Sequence, residues 1–551
     1  SIAAWSLARA GRNSAPLWER LCCEAEELAR HDSLSARSSS FLLWASVTAR
    51  HCSPHLARLL TRALVADICK ALLNDLSMVA WALATAQGSG SEGIGSEVQF
   101  ALDALMARAA DLLAARTAGQ GGATSDGGRK ARQADGQRVA TIAWAAASLQ
   151  HPIPSEFVRA VADASLTNQL SLSPQATAML LWGIAVAAEE EFDAALPLFE
   201  AAAPAVEEAA RDYEAPDISM VLYAYAKRGT IENKLFEACT RRLTFLCRFP
   251  TPDAQGRPVL SAADVATIAW AYGAMGHPGP ASLFELLAAQ ALEQVDSILP
   301  SGLCMVAWAF ATLGHPCPAL FAAVRGRLER GQQALGAERL CIILWALAVA
   351  GELTSATAAA VKGQLCHQDL STMGLSQLYA AELVLQTAED SPPGSLHLMG
   401  SPRMMLAARQ AWMQRHQDGS SRHSRAVYSE IAGHLAALGL PCEHNLTTED
   451  GLVPVKLACN LSNGTKVAVE VYWNHLCTTT SPRRPLGGAL LRARLMEAHG
   501  WRVLGITASE WHRPERESHT ASQLAKARRK LLEEALADIL PPNQNLSPEL
   551  A

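Results

Sequence analysis

The chain has 551 residues, half of them apolar, with 47 Lys and Arg against 53 Asp and Glu, a net charge of −6. That length exceeds what one compact core can bury, and the charge excludes a uniformly basic surface, although residues 401–551 carry 18 basic against 14 acidic side chains while residues 1–400 carry 29 against 39. No apolar run reaches the 18 or so residues of a membrane span, and the 13 cysteines are odd in number, scattered and free of C-x-x-C spacing, which reads as reduced core residues in a reducing compartment.

From its first residues the chain repeats itself. The clearest copies are VATIAWAYGAMGHP (265–278) and CMVAWAFATLGHP (304–316). Indexed on the aromatic, the copies fall at Trp5, Trp44, Trp81, Trp144, Trp182, Tyr223, Trp270, Trp308, Trp345 and Tyr379, with steps of 34 to 41 apart from one of 47 and one of 63. A small residue follows each aromatic, and a branched aliphatic stands two places before most of them, such as Val79, Ile142, Leu180, Ile268 and Val306. This pattern predicts a buried helix with a smooth side that a neighbouring helix approaches closely. Gly229, Gly276, Gly314 and Gly351, six places after the aromatic, stand where a left-handed glycine ends a helix. A second amphipathic segment then begins, so each unit reads as a helical hairpin. About ten of them, over residues 1–390, form an α-solenoid in which each unit buries its face on the next.

The apolar flanks assign the recurring Trp rings to core packing rather than to base stacking. His51, His151, His277 and His315 recur seven places after the aromatic; one repeat apart, they are too distant to share a metal and are assigned to turn hydrogen bonds. The 63-residue step holds a Gly-rich stretch at 117–137, expected to be a mobile, dispensable loop. The chain opens inside a repeat and without Met, so any targeting peptide is expected upstream.

A Pro/Gly/Ser boundary at 391–402 is followed by a basic helix, together a linker over 391–424. From 425 to 540 the pattern changes to α+β, and 541–551 reads as a tail. A helix closed by Gly439 precedes strands at 453–461 and 465–473 about a Ser462-Asn463-Gly464 turn; a helix closed by Gly500, a strand over 501–511 and a terminal helix from 522 complete it.

The aliphatic-x-Trp-Ala core, terminal Gly-His-Pro and period near 38 resemble octotricopeptide repeats, the RNA-binding solenoids of algal organelles. Residues 425 to about 537, with Asp450-Gly451, KVAVEV, His475, GALLRARLMEAHGWRVLGI and Glu510-Trp511, resemble a RAP domain, the small C-terminal module of many such proteins and of Fas-activated serine/threonine kinase-like mitochondrial RNA regulators. The resemblance implies a restriction-endonuclease-like fold, and an organellar protein of mitochondrion or chloroplast. In such a fold, clustered carboxylates hold Mg²⁺ for attack on phosphorus. Here Glu470 is retained, but Lys456 and Tyr472-Trp473 stand where the family carries acids, and Lys456 is expected to neutralise Glu470. Glu470 and His475 are thus vestigial catalytic candidates, with no metal or cofactor expected.

RNA contact is predicted at Arg483, Arg484, Arg492, Arg494 and Arg502, with Trp473, His475 and Trp511 as stacking surfaces; in the repeats, Arg58, Arg62, Arg108, Arg325 and Arg327 are candidates. The leading expectation is a non-enzymatic binder of single-stranded or ribosomal RNA acting in RNA stability, processing, splicing or translation, with other RNA-processing proteins as possible partners. The alternatives are a structural or assembly component of an organellar ribosome and an RNA endonuclease acting through the C-terminal module.

Overall fold

The structure, a computed structural model, describes residues 1–31, 33–87, 95–118, 126–188, 192–230, 232–249, 258–331, 335–365, 370–387, 399–417, 422–461, 463–517 and 520–537. It is mainly helical, with a small sheet near the C-terminus, and divides into two compact units, Ser1–Thr251 and Pro252–Ala551. No described helix is long and apolar enough to cross a membrane.

The first unit holds α1 (Ile2–Arg9), α2 (Ala15–Arg30), α3 (Ala36–Thr48), α4 (Pro54–Ala66), α5 (Leu73–Gln87), α6 (Ser96–Ala118), α7 (Asp126–Ser148), α8 (Ser155–Leu166), α9 (Pro174–Ala187), α10 (Leu196–Glu208), α11 (Ala215–Arg228) and α12 (Asn233–Arg248). The odd-numbered helices carry the signature aromatics and pack each on the next, and the even-numbered helices do the same in a second layer. In the second unit α13 (Ala262–Met275), α15 (Pro300–Leu313), α17 (Ala337–Ala350) and α19 (Thr372–Thr387) form one such row, and α14 (Ala281–Glu293), α16 (Pro318–Glu329) and α18 (Ser355–Leu365) the other.

Local chemistry sets the helix ends. Ser53 and Ser173 accept from the backbone N–H three residues on, at 3.0 and 3.2 Å, and Ser261 with Asp264 makes a capping box. Gly229, Gly276, Gly314 and Gly351 end their helices at φ of +67°, +59°, +69° and +75°. Val79, Ile142, Leu180, Val221, Ile268, Val306 and Ile343 are fully buried, as are the alanines after the aromatics. Gly183, after Trp182, marks the closest approach: a Cβ there would lie 2.7 Å from the Ala143 backbone and 3.0 Å from Trp144 N. Neither neighbour is a side chain that can swing away. Gly183→Val should therefore destabilise the first unit by about 3 kcal/mol or more, the upper end of overpacking costs; a loss below about 1 kcal/mol in denaturant unfolding would contradict this close approach.

The signature rings Trp44, Trp81, Trp144, Trp182, Tyr223, Trp270, Trp308 and Trp345 are partly buried, and Tyr379 is enclosed. Their neighbours in the row are one another: Trp5 and Trp44 lie 6.5 Å apart, Trp44 and Trp81 6.1 Å. The Gly-rich stretch is no loop where it is described, because α7 begins at Asp126. Buried Asp135 is held by Arg116 and Arg138, and Gly136 packs where a Cβ would overlap the Ser171 carbonyl. Residues 119–125 lie outside the described residues. The recurring histidines bridge adjacent hairpins rather than closing their own turns: His51 meets Asn13 at 2.6 Å, His151 meets Asp103 at 2.8 Å, and His315 meets the Pro278 carbonyl at 2.7 Å. His277 instead accepts locally from Gly279 N at 3.1 Å.

The basic helix α20 (Pro402–Gln417) packs on α19 with Trp412 against Tyr379 at 6.2 Å, continuing the row past the point where the sequence period is lost. Beyond it come α21 (Arg422–Ala437), β1 (Cys442–Thr447), β2 (Pro454–Asn460), β3 (Lys466–Tyr472), α22 (Gly487–Ala498), β4 (Arg502–Thr507), α23 (Ala508–Glu517) and α24 (Ala521–Ala537). The sheet order is β1-β2-β3-β4, antiparallel until β3 and β4, which run parallel around α22. Ser462 of the predicted turn lies outside the described residues, and Gly464 takes φ +82°. The predicted strand over 501–511 stops at Thr507, where Thr507 and Glu510 form a capping box that starts α23. One sheet face packs Leu457, Val467, Val469 and Val471 on α21 and α24; α22 covers the other.

Candidate nucleic-acid interface

β3 and β4, the parallel pair, end side by side at Tyr472 and Thr507. Ligands of parallel sheets bind in the crevice beyond such carboxyl ends, and this one opens into a cleft of about 1130 Å³. Into it the fold brings Trp473 and His475 from the turn after β3, Arg483 from the loop before α22, His512 and Arg513 from α23 and His423 from α21. His423 stacks on His512 at 5.4 Å and lies 5.6 Å from Trp473. Trp473 is half-buried, which leaves part of its ring accessible.

Charge in the cleft is unevenly committed. Glu510 accepts from Thr507 N at 2.9 Å, and Glu515 is taken by His512 and Arg528. Among the described residues, neither Arg483 nor Arg513 has a carboxylate partner. The amide end of α23 adds positive partial charge at Ser509. Two guanidinium groups, a helix N-terminus, imidazoles and an indole face suit a phosphodiester with an unstacked base.

The other predicted residues divide. Arg484 is exposed beside the cleft, and Arg502 is exposed at the opposite end of β4 from it. Arg492 is buried: it pairs with Glu470 and donates to the Pro454 carbonyl at 2.6 Å. Arg494 donates to the Val349 carbonyl of α17. Trp511 is fully enclosed, with Arg528 over its ring at 4.7 Å. Arg492 and Trp511 face inward and present no RNA surface, a correction that follows from their burial, whereas Arg494 stays exposed although it is engaged by Val349. In the repeats Arg108, Arg325 and Arg327 are likewise spent on Cys69, Glu352 and Val295, whereas Arg58 and Arg62 are exposed.

Glu470, on the α22 face of β3, is also corrected in its partner. Arg492 pairs with it directly, while Lys456, over the Tyr428 ring at 5.9 Å, contributes its charge without a direct bond. Burial pushes the Glu470 carboxyl above its ordinary range, an effect that Arg492 and Lys456 oppose. Burial and the Arg492 charge lower the Lys456 ammonium. Asp450, near in sequence to the expected acidic cluster, is absorbed by its own turn, accepting from Thr448 at 2.6 Å and Leu452 N at 3.0 Å. Among the described residues no group of three His, Cys, Asp or Glu is arranged to hold a metal ion.

Sequence reasoning missed His423 and His512 as members of the cleft. The Thr507-x-x-Glu510 capping box was a legible signal that a helix, and not a strand, follows β4. Nothing in the sequence tied His423, some 50 residues from Trp473, to the same cleft. Compared with protein-family models and with curated proteins, the chain matches none.

Proposed function

We propose that this is a non-enzymatic RNA-binding protein of an organelle, mitochondrion or chloroplast, built as an octotricopeptide-like α-solenoid with a RAP-like module that grips single-stranded RNA. The observation that carries the reading is the cleft beyond β3 and β4, where Arg483 and Arg513 stand without carboxylate partners among the described residues, beside Trp473, His475, His423 and His512. Phosphates take the guanidinium groups and an unstacked base takes the indole. An endonuclease is disfavoured because Glu470 is engaged by Arg492, which leaves no cluster of free carboxylates for Mg²⁺ among the described residues.

Changing Arg483 and Arg513 together to Gln should weaken binding of a single-stranded RNA at least about tenfold at about 0.1 M salt, with the melting temperature unchanged. The log–log salt slope should become shallower by about 0.7 for each phosphate that is no longer neutralised. Unaltered affinity in a folded variant would overturn the assignment. Arg492 is left intact in this test because it is buried, and Arg494 because it is engaged by the Val349 carbonyl.

One observation favours a second reading, a protein-contacting component of an organellar ribosome: the acidic excess of residues 1–400. Retention of ribosome association by the double Gln variant that has lost RNA affinity would support it.

A further inference from the structure

β1 is the outer strand of the sheet, and Glu443, His444, Asn445 and Thr447 leave most of its side chains exposed. Little apolar burial holds it, so its attachment rests on the ladder to β2. At the head of that ladder Cys442 stands directly opposite Cys459 of β2. Opposed residues of an antiparallel pair put their Cα atoms about 4.5 or 5.5 Å apart with both side chains on one face, inside the roughly 4.4–6.8 Å that a disulfide spans. Cys459 is enclosed in the core under α21 and α24, and Cys442 packs against that core while keeping part of its surface in solvent. The Cys442 thiol donates to the Leu440 carbonyl at 3.4 Å, and the Cys459 thiol lies close enough to donate to the Cys442 sulfur in turn. That interaction lowers the Cys442 thiol and raises the Cys459 thiol, whereas burial pushes Cys239, Cys304 and Cys341 up to about 12. The partly exposed member of the pair is thus the better nucleophile, and the enclosed one is in position to resolve it.

We propose that Cys442 and Cys459 form a peroxide-responsive modification site, in which a disulfide fastens β1 to β2. The Cys442 sulfur attacks one oxygen of hydrogen peroxide: an S–O bond forms, the O–O bond breaks, and the released hydroxide leaves as water with the thiol proton. The Cys459 sulfur then attacks the sulfenic sulfur; an S–S bond forms, the S–O bond breaks, and the oxygen departs as a second water with the Cys459 proton. The two thiols lose two electrons in all, and these reduce one peroxide to two waters. The strands already hold the register that the bridge needs, so the reaction asks for no rearrangement of the ladder. A dithiol reductant returns both thiols by exchange at the more exposed sulfur. The bridge closes residues 443–458, with the Asp450-Gly451 turn among them, into a loop and so restricts the unfolded chain there. This site lies on the far edge of the sheet from β4 and does not depend on the cleft beyond β3 and β4.

The test uses the full chain, reduced, freed of reductant and treated with stoichiometric hydrogen peroxide, in one arm folded and in the other in denaturant, then alkylated and digested with trypsin. Cleavage after Lys456 separates the two cysteines, so the bridge appears as peptide 426–456 joined to peptide 457–466. In the folded chain this should be the dominant link, at least about tenfold enriched over the denatured chain because the fold holds the two sulfurs together, and dithiothreitol should remove it. The amides of β1 should exchange at least about tenfold more slowly in the linked chain than in the reduced one. Cys442→Ser, at a partly exposed position, should abolish both the link and the slowing. The wild-type chain decides the matter without the variant. Cys442 carried on to the sulfinic acid with no link, a link no commoner in the folded chain than in the denatured one, or unaltered β1 exchange in the linked chain would overturn the proposal.

Discussion

Arg492→Ala should cost the C-terminal module about 3–5 kcal/mol, the penalty for leaving a buried charge without its partner. Arg492 is nearly enclosed between α22 and the sheet and holds both Glu470 and the Pro454 carbonyl, so its removal strands two acceptors at once. Burial already pushes the Glu470 carboxyl upward, and without Arg492 that carboxyl should take up a proton. The sign of the pH dependence follows. A carboxyl whose folded pKa lies above its unfolded value binds more protons in the folded state, so the variant should lose stability as pH rises from the unfolded carboxylate pKa through the raised folded value. Replacing both members of the pair by apolar side chains of similar volume, Glu470→Leu together with Arg492→Met, should recover most of the loss. Denaturant unfolding at two pH values measures each of these effects, and an Arg492→Ala variant within about 1 kcal/mol of wild type would show that the pair is no buried bridge.

Gly487→Val should separate the C-terminal module from the repeats it rests on. A Cβ at Gly487 would overlap the Ala311 carbonyl oxygen and meet Val349 Cγ1 at 2.7 Å; the first is backbone and cannot rotate away. The beginning of α22 would have to lift from α15 and α17, breaking the bond from Arg494 to the Val349 carbonyl and the 2.9 Å bond from Thr479 N to the Gly276 carbonyl. We expect docking to weaken by about 3 kcal/mol or more, read as faster hydrogen exchange along α15 and α17 and greater acrylamide quenching of Trp308 and Trp345. Arg502→Gln, exposed at the start of β4, is the control and should change neither. Wild-type exchange in a folded Gly487→Val chain would refute the close approach.

The same two sites show how far sequence alone reaches. KVAVEV is legible as a strand because its side chains alternate, and Glu470 is legible as its one inward acid. Its partner is not legible: Lys456 stands nearer in the family pattern, yet Arg492, 22 residues away, takes the carboxylate once α22 crosses the sheet. Arg492 and Arg494 look no different from Arg483 and Arg484 when composition alone is read. Helical phase sends Arg492 toward the sheet and Arg494 toward α17.

What the sequence by itself determined is therefore local and periodic: the helical hairpins, their glycine ends, the small residues at close approach and the strands of the module. These follow from interactions within a few residues or from a repeat that meets its own copy, so the pattern is written many times over. The tertiary structure alone decided which arginines are engaged, that α7 begins inside a Gly-rich stretch, and that His423, Trp473 and His512 share one cleft. Those outcomes depend on single contacts between segments tens of residues apart, each made once, and no periodicity in the chain encodes a contact that occurs only once.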